Sequence, residues 1–155
     1  MWLKFTFMLN KERIHQLACE VGFSLCGVAK CRYLDVSHRR FDDWTARGNG
    51  DGLDYMSRNI AKRFDPSQLV EGAKTVIVCA LNYRNPITDG YAEKARGKIA
   101  SYACTTDYHY TIKSMLMTIL ARLREENPQL GGRAFVDSAP LAEKSWAVEA
   151  GLGWI

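Results

Sequence analysis

Apolar residues recur at intervals of three and four positions in two segments of the chain, and this spacing is typical of one face of an α-helix. The first segment runs from Asn10, a residue type that caps helix starts, to Gly22, a residue type that ends helices. The second begins after Asp107 and stops before Pro128. Its apolar face comprises Ile112, Met115, Leu116, Ile119, Leu120 and Leu123. The pattern therefore predicts two amphipathic helices.

Shorter apolar runs are typical of β-strands. They cover residues 24–29, 74–81 and 133–137. The run at 74–81 is continuous and rich in β-branched residues, which predicts a central strand covered on both faces. The last run would place Asp137 at a strand end, ahead of a final helix that Pro140 starts and Gly151 stops.

The stretches between these elements are irregular. Residues 35–63 are predicted to form helical pieces, interrupted by a glycine-dense turn at 48–52. Residues 82–97 are predicted to form a long loop, which is either a lid or a disordered segment. Strands that alternate with helices across irregular stretches predict an α+β fold, with a central mixed sheet flanked by helices. A three-layer α/β sandwich is the open alternative, because the pattern does not separate the two.

Length and composition fit one globular domain. The chain has 155 residues, of which 47% are hydrophobic and 25% charged. A formal net charge of +4 permits an RNA partner but does not require one. Five cysteines without paired C-x-x-C spacing predict reduced thiols and a cytoplasmic location. Residues 1–9 are too few for a signal peptide, and no stretch is long enough to cross a membrane.

Two places along the chain carry candidate chemistry. Asp137 precedes a predicted helix, whose dipole favours the charged carboxylate, so the residues alone favour a capping role over a general acid. Residues 107–110 place His109 between two tyrosines at a helix start, where a structural role is again the commoner one. Basic residues such as Arg63 suit either a ligand or a solvated helix face. These residues alone do not name a reaction.

A longer part of the sequence resembles a known family. Residues 135–144, Phe-Val-Asp-Ser-Ala-Pro-Leu-Ala-Glu-Lys, and then 149–155, Glu-Ala-Gly-Leu-Gly-Trp-Ile, closely resemble the signature of epoxyqueuosine reductases. Further matching stretches follow the family's order at residues 52–56, 62–66, and 100–103 leading to 107–109. The resemblance covers nearly the whole chain, and it implies a cobalamin-processing or nitroreductase-like fold.

The resemblance implies an oxidoreductase of tRNA modification. Family members bind cobalamin in this half and carry two 4Fe-4S clusters in a following ferredoxin-like half. They reduce the epoxide of epoxyqueuosine in the tRNA anticodon loop to an alkene, the last step of queuosine biosynthesis, with a reducing partner such as flavodoxin or ferredoxin. On this basis residues 1–155 are expected to form a single cobalamin-binding catalytic domain, truncated before the iron–sulfur part, without metal ligands and inactive alone.

The resemblance also implies the site residues. Asp137 matches the family's proposed proton donor, which protonates the oxygen that leaves the epoxide carbon, and this role replaces capping. The positions that match cobalamin contacts are Arg63, Lys144 and residues 101–103, namely Ser101, Tyr102 and Ala103, which are expected to form a strand. Ser101 and Thr105 depart from the arginine and glycine of many relatives, so cofactor contacts are expected to differ there.

Two other functions stay open at this point. One is a cobalamin-binding or cobalamin-processing module without tRNA chemistry, since the family resembles a vertebrate cobalamin-trafficking protein in fold. The other is a non-catalytic RNA-binding domain, against which the low net charge and the lack of base-stacking motifs argue.

Overall fold

The computed structural model describes residues 10–89, 97–137 and 139–154. The chain divides into two compact units. The first unit comprises Met1–Leu25 and Cys79–Val136, and the second comprises Cys26–Val78 and Asp137–Ile155. Each unit has its own buried apolar residues. The expectation of a single cobalamin-binding domain over residues 1–155 stays a prediction.

Helices make up most of the regular structure. The α-helices are α1 (Lys11–Val21), α2 (Asp35–Ala46), α3 (Ile60–Phe64), α4 (Pro86–Asp89), α5 (Tyr108–Glu126) and α6 (Glu143–Glu149). Single turns of 3₁₀ helix occur at Asp54–Ser57, Pro66–Gln68 and Ser101–Cys104. The strands are β1 (Leu25–Lys30) and β2 (Thr75–Ala80). The predicted α+β fold is confirmed.

Helix α1 has both of the ends that its sequence predicts. The side-chain oxygen of Asn10 accepts hydrogen bonds from the backbone N–H groups of Glu12 (2.8 Å) and Arg13 (3.3 Å), which have no partner within the helix. Gly22 follows the last turn with a φ of 106°, a left-handed conformation that glycine adopts without strain. The predicted cap and stop are therefore confirmed.

Helix α5 packs on α1 in the first unit. The buried residues of the two helices are Ile14, Leu17, Ala18, Ile119 and Leu123. Two exposed ion pairs, Arg13–Glu126 and Arg122–Glu20, also join them. Exposed pairs contribute roughly 0 to 1 kcal/mol each, so the apolar contacts stabilise this pair of helices more than the ion pairs do. The apolar face that the sequence predicts for α5 is thus the face that packs.

Strands β1 and β2 pair in an antiparallel ladder. The N–H of Ser24 donates to the carbonyl oxygen of Ala80, and at the other end the N–H of Cys31 donates to that of Lys74, both at 2.9 Å. Within residues 10–89, 97–137 and 139–154 the sheet has these two strands, and no residue of β2 is fully buried. The location of β2 is confirmed, but its burial on both faces is not, because a strand with one neighbour stays partly accessible.

The core of the second unit lies around one tryptophan. Trp146 of α6 is 2% exposed and packs with Ala29, Leu34 and Phe64. Partly buried residues complete the cluster: Phe41, Ile60, Val76, Val78, Ala142 and Ala150. The packing is close enough that a Cβ on Gly27 would lie 2.5 Å from the carbonyl oxygen of Ala150. Helix α6 is therefore seated firmly against β1.

Three local predictions are wrong. Residues 133–137 form no strand, because they have no ladder partner among the described residues and Asp137 turns the chain with a φ of 48°. Ser101, Tyr102 and Ala103, expected to form a strand, instead lie in the 3₁₀ helix Ser101–Cys104. The last helix begins at Glu143 rather than at Pro140, so Asp137 does not cap it.

The loop predicted over residues 82–97 is only partly described. It contains α4, and residues 90–96 lie outside the described residues. The helical pieces predicted over residues 35–63 are confirmed as α2, a 3₁₀ turn and α3, on either side of the glycine-dense turn. None of the helices in the described part of the chain is long and apolar enough to span a membrane.

Candidate functional site

The candidate proton donor, Asp137, lies in a loop that precedes α6. It is exposed, and its φ of 48° is one of two positive values among the described non-glycine residues. Its backbone N–H donates a hydrogen bond to Oε1 of Glu143 at 3.2 Å. The capping role that the residues alone favour is excluded, because the N-cap of α6 is Ala142. The aspartate instead presents its carboxyl group on an accessible turn.

Glu143 brings a second carboxyl group to Asp137. Desolvation raises the pKa of Glu143, and although the N–H of Asp137 lowers it, the Asp137 carboxyl raises it further by a hydrogen bond and by its charge. Glu143 as a whole is exposed. The loop before α6 and the first turn of that helix therefore bring two carboxyl groups together.

Arg63 lies at the end of α3 in the same unit. Its Nη2 donates to the carbonyl oxygen of Met56 at a long 3.5 Å, and its guanidinium carbon lies 5.8 Å from the centroid of the Phe41 ring. Its Nε is buried without a hydrogen-bond partner, and no carboxylate of the described residues pairs with it. Because buried donors are normally satisfied, this guanidinium is suited to an oxygen acceptor supplied by a ligand.

A backbone hydrogen bond connects Arg63 with the start of α6. The N–H of Ala142 donates to the carbonyl oxygen of Arg63 at 3.0 Å. Because Ala142 directly precedes Glu143, this bond places the backbone of Arg63 beside the residue that contacts Asp137. Lys144 follows Glu143, is exposed, and makes no hydrogen bond or ion pair with the described residues. Its ammonium group is available to an anionic or carbonyl ligand.

The remaining predicted contacts lie in the first unit. Tyr102 and Ala103 line a shallow cavity of about 310 Å³ whose other residues are Thr105, Asp107, Tyr108 and His109. Ser101 does not line it, since its hydroxyl group bonds to the hydroxyl of Thr88 at 2.6 Å. The rings of Tyr102 and Tyr108 are nearly perpendicular, with centroids 5.9 Å apart. An aromatic-walled cavity of this kind suits a flat ligand.

Asp107 and His109 form the polar side of that cavity. Asp107 caps α5 as predicted: its Oδ1 accepts a hydrogen bond from the backbone N–H of His109 at 2.9 Å. The same oxygen lies 2.8 Å from Nδ1 of the His109 ring. The backbone hydrogen bond, and after it the ring, hold the pKa of Asp107 below its usual value. The aspartate thereby fixes the ring orientation and leaves Nε2 for a ligand.

The predicted site residues thus fall into two groups. Asp137, Arg63 and Lys144 lie in the second unit, and Ser101, Tyr102 and Ala103 lie in the first. Glu143 was not singled out from the sequence; it lies within the signature segment, but nothing in the spacing of the chain points to its contact with Asp137. Among the residues that the structure describes, no three His, Cys, Asp or Glu side chains are grouped to hold a metal ion.

A family comparison covers most of these residues. A family model described as "Epoxyqueuosine reductase QueG, DUF1730" matches residues 63–138. Curated relatives extend the match on both sides. An epoxyqueuosine reductase of Cyclobacterium marinum is 40% identical over 149 residues, which are 96% of this chain and 48% of the relative. One of Leadbetterella byssophila is 39% identical over 146 residues, which are 93% and 47% of the two chains.

Solved structures are similar in fold. The epoxyqueuosine reductase of Streptococcus thermophilus superposes with a TM-score of 0.82 at 27% identity, covering 96% of this chain and 40% of that protein. A second structure, of an epoxyqueuosine reductase with an epoxyqueuosine-modified tRNA-Tyr stem loop, has a TM-score of 0.74 at 21% identity, over 93% and 38% of the chains. The chain spans about half the length of the curated relatives it matches. It belongs to the epoxyqueuosine reductase family.

Proposed function

We propose that this chain is the cobalamin-binding catalytic part of an epoxyqueuosine reductase, which converts epoxyqueuosine in a tRNA anticodon loop to queuosine. One observation carries the proposal: Asp137, at the position of the family's proton donor, lies on an exposed turn whose backbone N–H is bonded to Oε1 of Glu143 at 3.2 Å. Donation of a proton to a leaving oxygen needs an accessible acid held in a fixed position, and this contact holds the loop of Asp137.

The residues of the second unit fit the binding of cobalamin. The amide and phosphate oxygens of a corrinoid accept hydrogen bonds, and Arg63 holds a buried donor for which the described residues supply no acceptor. Lys144 adds an exposed ammonium group. We propose Ser101, Tyr102 and Ala103 as further contacts from the first unit. Cobalamin, when bound, supplies the electrons that break the carbon–oxygen bond of the epoxide.

Asp137 supplies the proton that this reduction requires. Conversion of an epoxide to an alkene consumes electrons and protons and releases the oxygen as water. Asp137 protonates the oxygen as it leaves the carbon, so that no free alkoxide forms. Because Asp137 is exposed, water can restore its proton between steps. The chain therefore contributes orientation, proton delivery and a binding surface to the reaction.

The proposed partners lie outside the chain. We propose that tRNA bearing epoxyqueuosine is the substrate, which is supported by the relative whose structure holds such a stem loop. Electrons would come from two 4Fe-4S clusters in a separate C-terminal part, supplied by a flavodoxin or ferredoxin in the cytoplasm. The mild net charge of +4 indicates that tRNA recognition does not rest on this chain's overall charge.

The experiment that tests the function separates binding from turnover. Absorbance titration of the chain with cob(II)alamin should give a saturable spectral change, both in the wild type and in Asp137→Asn. In the full-length protein, Asp137→Asn should lower the conversion of epoxyqueuosine tRNA, followed by mass spectrometry of nucleosides, by roughly 100-fold or more. The matched control is Asp51→Asn, in the glycine-dense turn of the second unit, which should change neither quantity.

The outcomes distinguish the possible functions. Absence of a spectral change in both the chain and the full-length protein would contradict the cofactor assignment. Saturable binding by a full-length protein that leaves epoxyqueuosine unchanged would instead indicate a cobalamin-processing module. Full activity of Asp137→Asn would remove Asp137 from the role of proton donor.

A further inference from the structure

The backbone of Asp137 has a conformation that residues with a side chain rarely adopt. Its φ of 48° lies in the left-handed region, where the Cβ of an L-amino acid crowds the backbone. Aspartate tolerates this region better than most residues do, but the conformation still costs free energy, which contacts of the loop can offset.

One such contact is with Glu143. Oε1 of Glu143 accepts the backbone N–H of Asp137 at 3.2 Å, across six positions of sequence. No lysine or arginine of the described residues forms an ion pair with Glu143, so its carboxyl group is devoted to this loop. The same carboxyl lies against that of Asp137, and this proximity contributes to the raised pKa of Glu143.

Glu143 is itself held in place by the core of the second unit. Trp146, one turn further along α6, is 2% exposed. The N–H of Ala142, just before Glu143, donates to the carbonyl oxygen of Arg63 at 3.0 Å. Glu143 is thus anchored on both sides, whereas Asp137 lies on an exposed loop. The direction of support runs from Glu143 to Asp137.

We propose that Glu143 is a positioning residue for Asp137: it fixes the left-handed backbone of the loop and orients the carboxyl group that donates the proton. This role rests on the proposed function, in which Asp137 is the donor. Glu143 acts through Asp137 and not on the substrate. Its removal should therefore impair the chemical step more than the binding of tRNA or cobalamin.

The positioning contact can be measured without any activity. In the ¹⁵N-labelled chain, Glu143→Ala should speed hydrogen exchange of the Asp137 amide roughly 10-fold, the effect of losing one hydrogen bond. Glu143→Gln should keep the protection, because the glutamine Oε1 can accept the same hydrogen bond. Glu149→Ala is the matched control, since Glu149 lies on the same helix but pairs with Arg32 at 2.6 Å. Amide signals of α2, which lies in the same unit as the substituted residues, report whether each variant is folded.

The consequence for catalysis is measured in the full-length protein. Glu143→Ala should lower kcat by roughly 10-fold to 100-fold, because small displacements of a reacting group cost that much, with KM for tRNA within about 2-fold of the wild type. Glu143→Gln should recover most of the lost kcat. An equal loss in the two variants would overturn the proposal, because the backbone contact would then not be what matters.

The two proposals can fail separately. An Asp137 amide that exchanges at the wild-type rate in Glu143→Ala would overturn the positioning role whatever the activity. A wild-type protein that leaves epoxyqueuosine tRNA unchanged would overturn the proposed function, while the exchange rates would still decide whether Glu143 holds the Asp137 loop.

Discussion

At the scale of single residues, the candidate site contains groups whose conformation or surroundings are unfavourable for the stability of the fold. Asp137 has a left-handed backbone, Glu143 keeps its carboxyl group beside another, and the Nε of Arg63 is buried without a partner. Each arrangement costs free energy in the unliganded chain, because strained backbones and unpaired buried donors are unfavourable. Their concentration near the start of α6 indicates a site shaped for a ligand rather than for stability.

A substitution of Arg63 tests whether this residue lowers the stability of the chain in return for ligand binding. Arg63→Met removes the unpaired donor and keeps a flexible apolar side chain near Phe41, so the free energy of unfolding should stay the same or rise by up to about 1 kcal/mol. The dissociation constant for cob(II)alamin should rise roughly 10-fold, since a charged hydrogen bond to the ligand is lost. Urea denaturation and absorbance titration measure the two quantities.

The control for this variant is Arg32→Met. Arg32 lies in the same unit and pairs with Glu149 on the exposed surface, so its loss should change both quantities little. If Arg63→Met instead lowers stability by more than about 2 kcal/mol, the guanidinium serves the core and not a ligand.

At the scale of elements, the features that depend on neighbouring residues could be predicted from the sequence, whereas contacts between separate elements could not. The ends of α1 and the cap of α5 follow from Asn10, Gly22 and Asp107, because capping involves neighbours within a few positions. The run at 133–137 has strand composition, but a strand exists only beside a partner, which its own residues cannot reveal. The contact between Asp137 and Glu143 likewise depends on where the core places α6.

The close packing of α6 against β1 can be tested by a substitution in β1. Gly27→Ala should destabilise the chain by about 1 to 3 kcal/mol, because the new Cβ would lie 2.5 Å from the carbonyl oxygen of Ala150 and α6 would have to shift. Since Glu143 lies on α6, the amide signal of Asp137 should move as well. Gly131→Ala is the control, because nothing lies within 4 Å of its added Cβ. Equal stability of the two variants in urea denaturation would contradict the close packing.

At the scale of the whole molecule, the chain forms two compact units, and the residues predicted to contact the cofactor are distributed over both. Periodicity and caps were enough to predict the α+β class and the main helices. They were not enough to predict the function, because Asp137, Arg63 and Lys144 are ordinary residue types whose roles the resemblance to a family supplies. The structure adds Glu143, whose role becomes visible only once the loop before α6 has been placed.

The net charge of the whole chain bears on how strongly its binding to RNA depends on salt. Its 21 basic and 17 acidic residues leave a net charge of +4. Each neutralised phosphate of a single strand contributes roughly −0.7 to the slope of log affinity against log salt. If the chain contacts no more phosphates than its net charge, the slope for a tRNA anticodon stem loop should be shallower than about −3. Fluorescence anisotropy at several salt concentrations measures it, with a double-stranded DNA of equal length as the control ligand. A slope near −7 or steeper would require about ten phosphate contacts, and the chain would then be a dedicated RNA-binding domain. A shallow slope would leave recognition to the modified base and to the loop that presents it, as the proposed function requires.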